Sequence, residues 1–385
     1  MNERATITIP YRLAARFAAI LSLIAIATGV LVNWRFPYLM DFLSYWAAGV
    51  IAVGGSAADA YDVTLHHAVQ ERAVVFDTRL PFAYPPPYLI LLLPFGLLPY
   101  AFAAAAWIGL TLSGFAFAVR KLMPDFGAAA LAFPPVAICG ISGQNGFLTA
   151  ALFFGGIAAL PRRPLIAGLF FGCLVIKPQL GLLLPLAFIA AREWRAFTGA
   201  TVAVIVLVAA SLIAFGSAPW QGFVTQSRLF AAIATDGLVG WEKMASVFAS
   251  LRLVGVPETT AFALHGMIAL AGAAVVWQIW RATTDPLARG AALAPASLLV
   301  SPYLYVYDQI ILVISLYWLM QRGISRTVLI VLFLLPLATI GQFWTGALTV
   351  NPAPLLTLIL LWLVWRQFAP DQAAFGAAWR TPSST

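Results

Sequence analysis

Long apolar runs separated by short basic segments dominate this sequence. A helix crosses a bilayer core about 30 Å thick with about 20 apolar residues, and several runs approach or exceed that length. Soluble proteins carry roughly 25% charged residues. Here 62% of the 385 residues are hydrophobic and only 9% are charged, which excludes disordered chains, disulfide scaffolds and soluble enzymes. We therefore predict an all-α polytopic membrane protein. The apolar runs are 14–32, 86–119, 126–141, 146–160, 164–191, 196–216, 258–281, 290–302, 308–321, 326–343 and 352–366.

Two of these runs, 86–119 and 164–191, are too long for one straight crossing. The first contains Pro94 and Pro99, and the second is interrupted where Lys177 precedes a proline. Proline cannot donate to the helical ladder and moves its predecessor out of the α region. Each site can therefore be a turn or a kink.

The basic residues help to choose between these possibilities, because cytoplasmic loops collect Lys and Arg. With a cytoplasmic N-terminus, one net crossing by 86–119 and a hairpin at 164–191, fifteen of the 22 Lys and Arg residues lie inside. That topology has about twelve crossings and two cytoplasmic termini. A competing count splits 86–119 and makes 164–191 a single pass. We prefer the first count, since the second exports the basic pairs at 120–121 and 162–163.

The net charge of +8 is dispersed between apolar runs rather than clustered on one face, so we predict no nucleic-acid partner. The basic N-terminal stretch precedes either a first anchor or a signal peptide. We favour the anchor, because the run 14–32 can cross the membrane and no clear small-residue cleavage site ends it.

Nine of the fourteen acidic residues fall on the outer side in this topology. Two long outer loops, 33–85 and 217–257, contrast with inner loops of a few residues. Long loops between closely connected helices are usually functional, so we expect any chemistry to face the periplasm or the exterior. We predict a single integral domain over 1–368 and a cytoplasmic tail at 369–385.

Apolar side chains recur at helical spacing from Phe42 to Ile51, directly after Asp41. The pattern predicts a helix lying in the membrane interface, which would place Asp41 near headgroup depth.

Motifs of soluble sites are absent from the sequence: there is no GxGxxG, P-loop or HExxH. Neighbouring His66 and His67 point to opposite sides of a helix or strand and make a poor metal site. Asp59 and Asp62 do not form the DxD of metal-dependent sugar transferases, and a turn or a helix cap explains them better. We predict no metal and no cofactor.

Several short motifs, taken in order, resemble glycosyltransferase family 87 of the GT-C superfamily, from residue 38 to residue 310. Each motif is weak alone, but their order is moderately specific. The matching pieces are Asp41-Phe-Leu-Ser-Tyr45-Trp-Ala-Ala-Gly49, Ala60-Tyr61-Asp62, Tyr84-Pro-Pro, Gly143-Gln-Asn-Gly146, Gly168 to Pro178 with Lys177, and Ser301-Pro with Tyr307-Asp308.

The resemblance implies a GT-C type bundle that moves one sugar from a polyprenyl-phosphate donor to a lipid-linked or glycan acceptor, with inversion. Mannose or another hexose or pentose would be the sugar. An acidic residue in the first outer loop is the general base of this superfamily, and Asp41 matches it. Lys177 is our candidate ligand of the donor phosphate. The other candidate substrate-binding residues are Tyr45, Tyr84, Gln144, Asn145, Gln179, Tyr303 and Asp308.

Each assignment has a structural alternative. Asp41 could cap the helix that follows it. Lys177 could extend to the membrane interface. Gln144 and Asn145 could simply end two helices.

The remaining candidates also have alternatives. Asp308 would be costly to bury without a cation, and Arg252 or Arg228 could supply one. Tyrosines such as Tyr84 and Tyr303 could belong to the interfacial aromatic belt. A polytopic transporter or lipid flippase also has about twelve crossings and broken helices, and stays open as a different function.

Overall fold

The computed structural model describes residues 3–35, 41–74, 79–238, 240–345 and 351–378, and its regular elements are helices. The helices of the first half are α1 (Glu3–Arg35), α2 (Phe42–Val53), α3 (Val63–Gln70), α4 (Pro87–Gly96), α5 (Tyr100–Leu122), α6 (Gly127–Ala132), α7 (Pro134–Ser142), α8 (Gly146–Ala159), α9 (Pro164–Gly172) and α10 (Leu184–Ala191). Those of the second half are α11 (Trp194–Phe215), α12 (Ala218–Thr235), α13 (Val247–Leu253), α14 (Glu258–Ala282), α15 (Pro286–Val300), α16 (Val313–Gln321), α17 (Arg326–Thr345) and α18 (Ala353–Ala378).

Four helices in the described part of the chain are long and apolar enough to cross a membrane: 13–32 within α1, α5, α11 and α14. Shorter apolar helices account for the other predicted runs. The predicted all-α architecture is confirmed, and its helices follow the apolar runs closely because helix ends coincide with the prolines, glycines and charges that interrupt those runs.

In both overlong runs the helix is interrupted next to a proline. The first is divided into α4 and α5 by the segment before Tyr100, in which Pro99 precedes the new helix. In the second, α9 gives way to two short 3₁₀ turns, Cys173–Ile176 and Pro178–Leu180, with Lys177 between them. Lys177 is therefore held in a non-helical backbone between two apolar helices.

Helices α9 and α11 run parallel in close contact. Gly199 lies against the backbone of Leu165 near the start of α9, and Gly172 at its end lies against Ala200 and Ala203. Small residues allow backbones to approach this closely in membrane helices. Since the two helices begin at the same end of the bundle, the chain returns between them, as the predicted hairpin at 164–191 requires.

The structure corrects the expectation for α2. The predicted helix is present, but an interfacial helix keeps one face exposed, whereas ten of the twelve residues of α2 are buried. Gly49 packs directly on the backbone of Gly96 in α4, so α4 covers part of the surface that was expected to face solvent or lipid. α2 is an internal helix, and it carries Tyr45 into the protein.

Long-range polar contacts gather at two ends of the bundle. We call the end that carries the connections 33–85 and 217–257 the loop end. There Asn351 donates to Met244 O (2.6 Å) and accepts from Ala353 N (2.9 Å), which fastens the second long connection to α18. At the opposite end, Arg289 pairs with Glu193 at 2.7 Å.

Candidate functional site

Asp41 occupies the position before α2 but does not cap that helix. Its side chain accepts no hydrogen bond from the first turn of α2. Instead, Oδ2 accepts a hydrogen bond of 2.7 Å from Nε2 of Gln144, which is distant in sequence. The carboxylate is half-buried. Of the two sequence interpretations, the geometry rejects the cap and leaves a carboxylate oriented by a side-chain amide.

Gln144 binds two further groups through its carbonyl. Oε1 accepts a 2.5 Å hydrogen bond from the Tyr45 hydroxyl, and the Tyr84 hydroxyl lies 2.8 Å from that of Tyr45. Because an amide has one donor end and one acceptor end, these bonds fix its orientation. Asp41, Gln144, Tyr45 and Tyr84 thus form one hydrogen-bonded group, which we call the acid group.

A second group surrounds Lys177, which is only 3% exposed. Its ammonium forms an ion pair with Asp308 and donates to Asn145 Oδ1 at 3.1 Å. It also lies over the ring of Tyr307, 5.1 Å from the centroid. A buried, paired ammonium is not extending to the interface, so the structure rejects that alternative. We call Lys177, Asn145, Asp308 and Tyr307 the lysine group.

The partner of Asp308 corrects the sequence interpretation. Neither Arg252 nor Arg228 pairs with it: Arg252 donates to Val256 O and lies over the ring of Trp241, and Arg228 is exposed on α12. The cation that pairs with Asp308 is Lys177, the candidate ligand of the donor phosphate.

Gln144 and Asn145 are neighbours in sequence and connect the two groups. α7 is followed directly by Gly143, whose φ of 67° requires glycine, and α8 begins at Gly146. Gly146 lies so close to Tyr307 O that a side chain would not fit. This tight turn directs one amide toward Asp41 and the next toward Lys177. Asn145 does precede α8 directly, as the structural alternative proposed, and Gln144 lies in the turn between the two helices. Their side chains bind the two groups rather than capping a helix.

Burial raises the pKa of Asp41 above its ordinary value of 3.8, and the hydrogen bond from Gln144 opposes that rise. A carboxylate with a raised pKa is a stronger proton acceptor than an ordinary aspartate. The acid group therefore has the chemistry of a general base.

Two sequence candidates lie outside both groups. Tyr303 exchanges a 2.9 Å hydrogen bond with Thr235 of α12 and packs edge-on against Phe248. Gln179 is half-buried in the turn after Lys177, and within the described part of the chain no hydrogen bond joins it to either group. Tyr303 and Gln179 stay predicted substrate-binding residues that hydrogen-bond to neither group in the described part of the chain.

Sequence reasoning missed Trp107, whose Nε1 donates to Gly143 O at 2.9 Å and so stabilises the turn between α7 and α8. No local signal distinguishes this tryptophan of α5 from interfacial ones. In the first long connection, the helix cap predicted for Asp62 is present at the start of α3. His66 makes a buried hydrogen bond to the backbone of Ser44. Over the described residues, no cluster of three or more His, Cys, Asp or Glu side chains has the spacing of a metal site.

The family model of glycosyltransferase family 87 matches residues 82–302, more than half of the chain. The chain belongs to glycosyltransferase family 87. It is therefore a membrane glycosyltransferase, and this membership favours a transferase over a transporter or flippase. The matched stretch of family 87 includes Tyr84, Gln144, Asn145 and Lys177, whereas Asp41, Tyr45, Tyr303 and Asp308 lie outside it. No curated protein and no solved structure matches the chain.

Proposed function

We propose that this protein transfers one sugar from a polyprenyl-phosphate donor to a lipid-linked or glycan acceptor, with inversion at the anomeric carbon. Asp41 is the general base. The observation that carries the proposal is the hydrogen bond from Gln144, which presents a half-buried carboxylate beside the lysine group instead of leaving it as a helix cap. A hydroxyl becomes an effective nucleophile when such a carboxylate accepts its proton as the new bond forms.

Lys177 contributes to the proposed donor site. An ammonium has three N–H donors, and the contacts with Asp308 and Asn145 use two of them. The third remains for an oxygen of the carrier phosphate, where negative charge grows as the sugar leaves. Asp308 keeps the ammonium charged and in place while the site is empty. Tyr84 and Tyr45, beside Asp41, are suited to binding sugar hydroxyls.

An apolar cleft of about 360 Å³ supports a lipid donor. Side chains of α9, α10 and α11 line it, and Val175 and Pro178 bring it to either side of Lys177. A carrier tail in this cleft would place its phosphate near the lysine group. The cleft lining is Phe171, Gly172, Leu174, Val175, Pro178, Gly181, Leu182, Leu184, Pro185, Phe188, Phe197, Ala200, Thr201, Val204 and Ile205.

The polar contacts also support the topology with about twelve crossings. The competing count places Asp41 and Gln144 on opposite sides of a hydrocarbon core about 30 Å thick, which the 2.7 Å hydrogen bond between them contradicts. In the preferred count both groups face the periplasm or exterior of an inner membrane, and Glu193 and Arg289 face the cytoplasm. We propose this orientation for a single domain over 1–368, with a cytoplasmic tail at 369–385.

The test is to incubate the purified protein in lipid nanodiscs with a panel of polyprenyl-phosphate sugars and to measure release of the carrier phosphate. We expect transfer from at least one of them, unchanged by a chelator, with an inverted anomeric product. Transfer from nucleotide sugars alone would reject the donor class.

Asp41→Asn tests the base, since it keeps the shape and the hydrogen-bonding reach but cannot accept the proton. We expect transfer to fall by about 10²–10⁴-fold with donor binding retained. Asp59→Asn, in the same long connection, is the matched control and should transfer normally. Full activity of Asp41→Asn would remove the base assignment.

A further inference from the structure

Helix α3 of the first long connection buries two polar side chains one turn apart. His66 is 1% exposed and Gln70 is fully buried, and among the described residues neither shares a hydrogen bond with Asp41. Buried polar groups that are held by several hydrogen bonds tend to fix one arrangement of the segments they join. These two side chains therefore fix the arrangement of the segments that they bind.

His66 lies between α2 and Gln70. Its Nδ1 is 3.0 Å from Gln70 Nε2, and its Nε2 is 3.0 Å from Ser44 O. Because an amide nitrogen can only donate, Nδ1 must accept, and the ring hydrogen is on Nε2, where it is donated to Ser44 O. The neutral imidazole with this tautomer satisfies both contacts.

Gln70 extends the connection to a third segment. The same Nε2 donates its second hydrogen to Leu80 O at 2.6 Å. The Ser44 hydroxyl donates to Pro81 O at 3.1 Å, so α2 and the segment that begins at residue 80 are also joined directly. We call His66, Gln70 and the Ser44 hydroxyl the clamp.

The clamp holds the two segments that carry the acid group. Ser44 N donates to Asp41 O at 3.1 Å, and Ser44 directly precedes Tyr45. Residues 80–81 lead into Tyr84, whose carbonyl is bound in turn by the Tyr61 hydroxyl at 2.8 Å. The 2.8 Å contact between the Tyr45 and Tyr84 hydroxyls therefore depends on the spacing that the clamp sets.

We propose that His66 and Gln70 are positioning residues for the transfer reaction, which hold α2 and residues 80–84 at the separation that surrounds the Gln144 amide with Asp41, Tyr45 and Tyr84. This inference rests on the proposed function. The clamp lies apart from the lysine group, which is carried by other elements and is proposed to hold the donor phosphate.

The decisive variants are His66→Leu, which removes both hydrogen bonds, and His66→Gln, whose amide can donate and accept as the imidazole does. We expect His66→Leu to lower kcat by about 10- to 100-fold, as displacement of a catalytic group by about 1 Å does, and to leave KM for the donor within about twofold. His66→Gln should recover most of kcat. His67→Gln, on the neighbouring position paired with Glu71, is the control and should behave as the wild type.

A structural role alone would lower the amount of folded enzyme without changing the properties of what remains. The low-pH limb of the pH profile of kcat separates the two cases. Both His66 variants lack the imidazole, so His66 itself does not titrate in either of them. The titratable groups that face Asp41 from neighbouring elements are phenols that stay neutral near pH 7: Tyr84, Tyr100, Tyr305 and Tyr307. We expect the low-pH limb of His66→Leu to lie at lower pH than that of His66→Gln. Water would reach a loosened Asp41 and relieve its desolvation, which lowers the pKa of the carboxyl. Coincident limbs with equal kcat per folded molecule would overturn the proposal.

Hydrogen exchange gives a readout that needs no activity. Amides of residues 42–48 should exchange faster in His66→Leu than in His66→Gln, and those of α14 should not change. Should His66→Leu fail to fold, Gln70→Leu provides the same comparison, since it removes the bond to Leu80 O. Unchanged exchange in a folded variant would overturn the clamp, whereas a wild type that transfers no sugar would overturn the proposed function separately.

Discussion

Two buried ion pairs lie at opposite ends of the bundle and are built differently. At the loop end, Lys177 and Asp308 have side chains that are 4% and 2% exposed, and their further support comes from the side chain of Asn145. At the opposite end, Arg289 is 5% exposed, while its partner Glu193 is 25% exposed. Arg289 also donates to the backbone carbonyls of Thr283 (2.7 Å) and Trp280 (3.2 Å).

We propose that this difference separates a structural pair from a functional one. Backbone carbonyls are fixed by the course of the chain, so the pair at Arg289 holds the turn after α10 against α14 and α15. The pair at Lys177 is made of side chains that can exchange partners, and it adjoins the Gln144 amide that holds Asp41. A buried pair contributes little to net stability, which favours a chemical reason for placing one there.

The largest difference between the two pairs should follow from isosteric neutralisation. Asp308→Asn leaves the Lys177 ammonium buried without an anion, and we expect it to lower the free energy of unfolding by about 3–5 kcal/mol and to abolish transfer. Glu193→Gln keeps an acceptor for Arg289 and should cost about 1 kcal/mol or less with normal transfer per folded molecule. Thermal unfolding in detergent and carrier-phosphate release measure both. Equal losses of stability would contradict the distinction.

Removing both charges of the loop-end pair sharpens the comparison. Lys177→Met with Asp308→Leu replaces the ions by apolar side chains, so we expect most of the stability lost in Asp308→Asn to return. Transfer should stay absent, because no cation remains for the carrier phosphate. A double variant that transfers at the wild-type rate would make this pair as structural as the other.

The loop end should also be the acid-sensitive end. Burial lowers the pKa of His66 from 6.5 to about 4. Below about pH 6.5 the imidazole therefore binds a proton in the unfolded chain but stays neutral in the folded chain. The free energy of unfolding is highest near pH 7 and falls by about 3 kcal/mol in total as the pH is lowered toward 4. Unfolding temperatures measured between pH 7 and pH 4.5 should decline more steeply in the wild type than in His66→Gln. Parallel declines would show that the buried imidazole is not responsible.

The smallest effect is expected at the opposite end, where Arg192 closes the turn between α10 and α11 with a φ of 56°. A side chain is strained in this left-handed conformation, and glycine is not. Arg192→Gly should therefore raise the free energy of unfolding by about 1 kcal/mol and leave transfer unchanged. A loss of transfer would mean that this turn communicates with the loop end, against the comparison.

Much of the candidate site could be predicted from the sequence, because charged residues are rare in it. Asp41 and Lys177 stand out at the edge and in the middle of apolar runs, and Gln144 and Asn145 interrupt another run. The identity of their partners was not visible. Asp308 lies 131 residues from Lys177, and charge alone could not choose Lys177 over Arg252 and Arg228 as its partner.

The sequence by itself determined the helices and their interruptions, since apolar period, proline and glycine act through the local backbone. The distribution of Lys and Arg also predicts which connections lie on the same side of the membrane. Only the tertiary structure decided that α2 is buried, that Asp41 binds Gln144 instead of capping α2, and that His66 links α2 to residue 80. These contacts join segments far apart in the chain, and their formation depends on how helices cross, which no local pattern encodes.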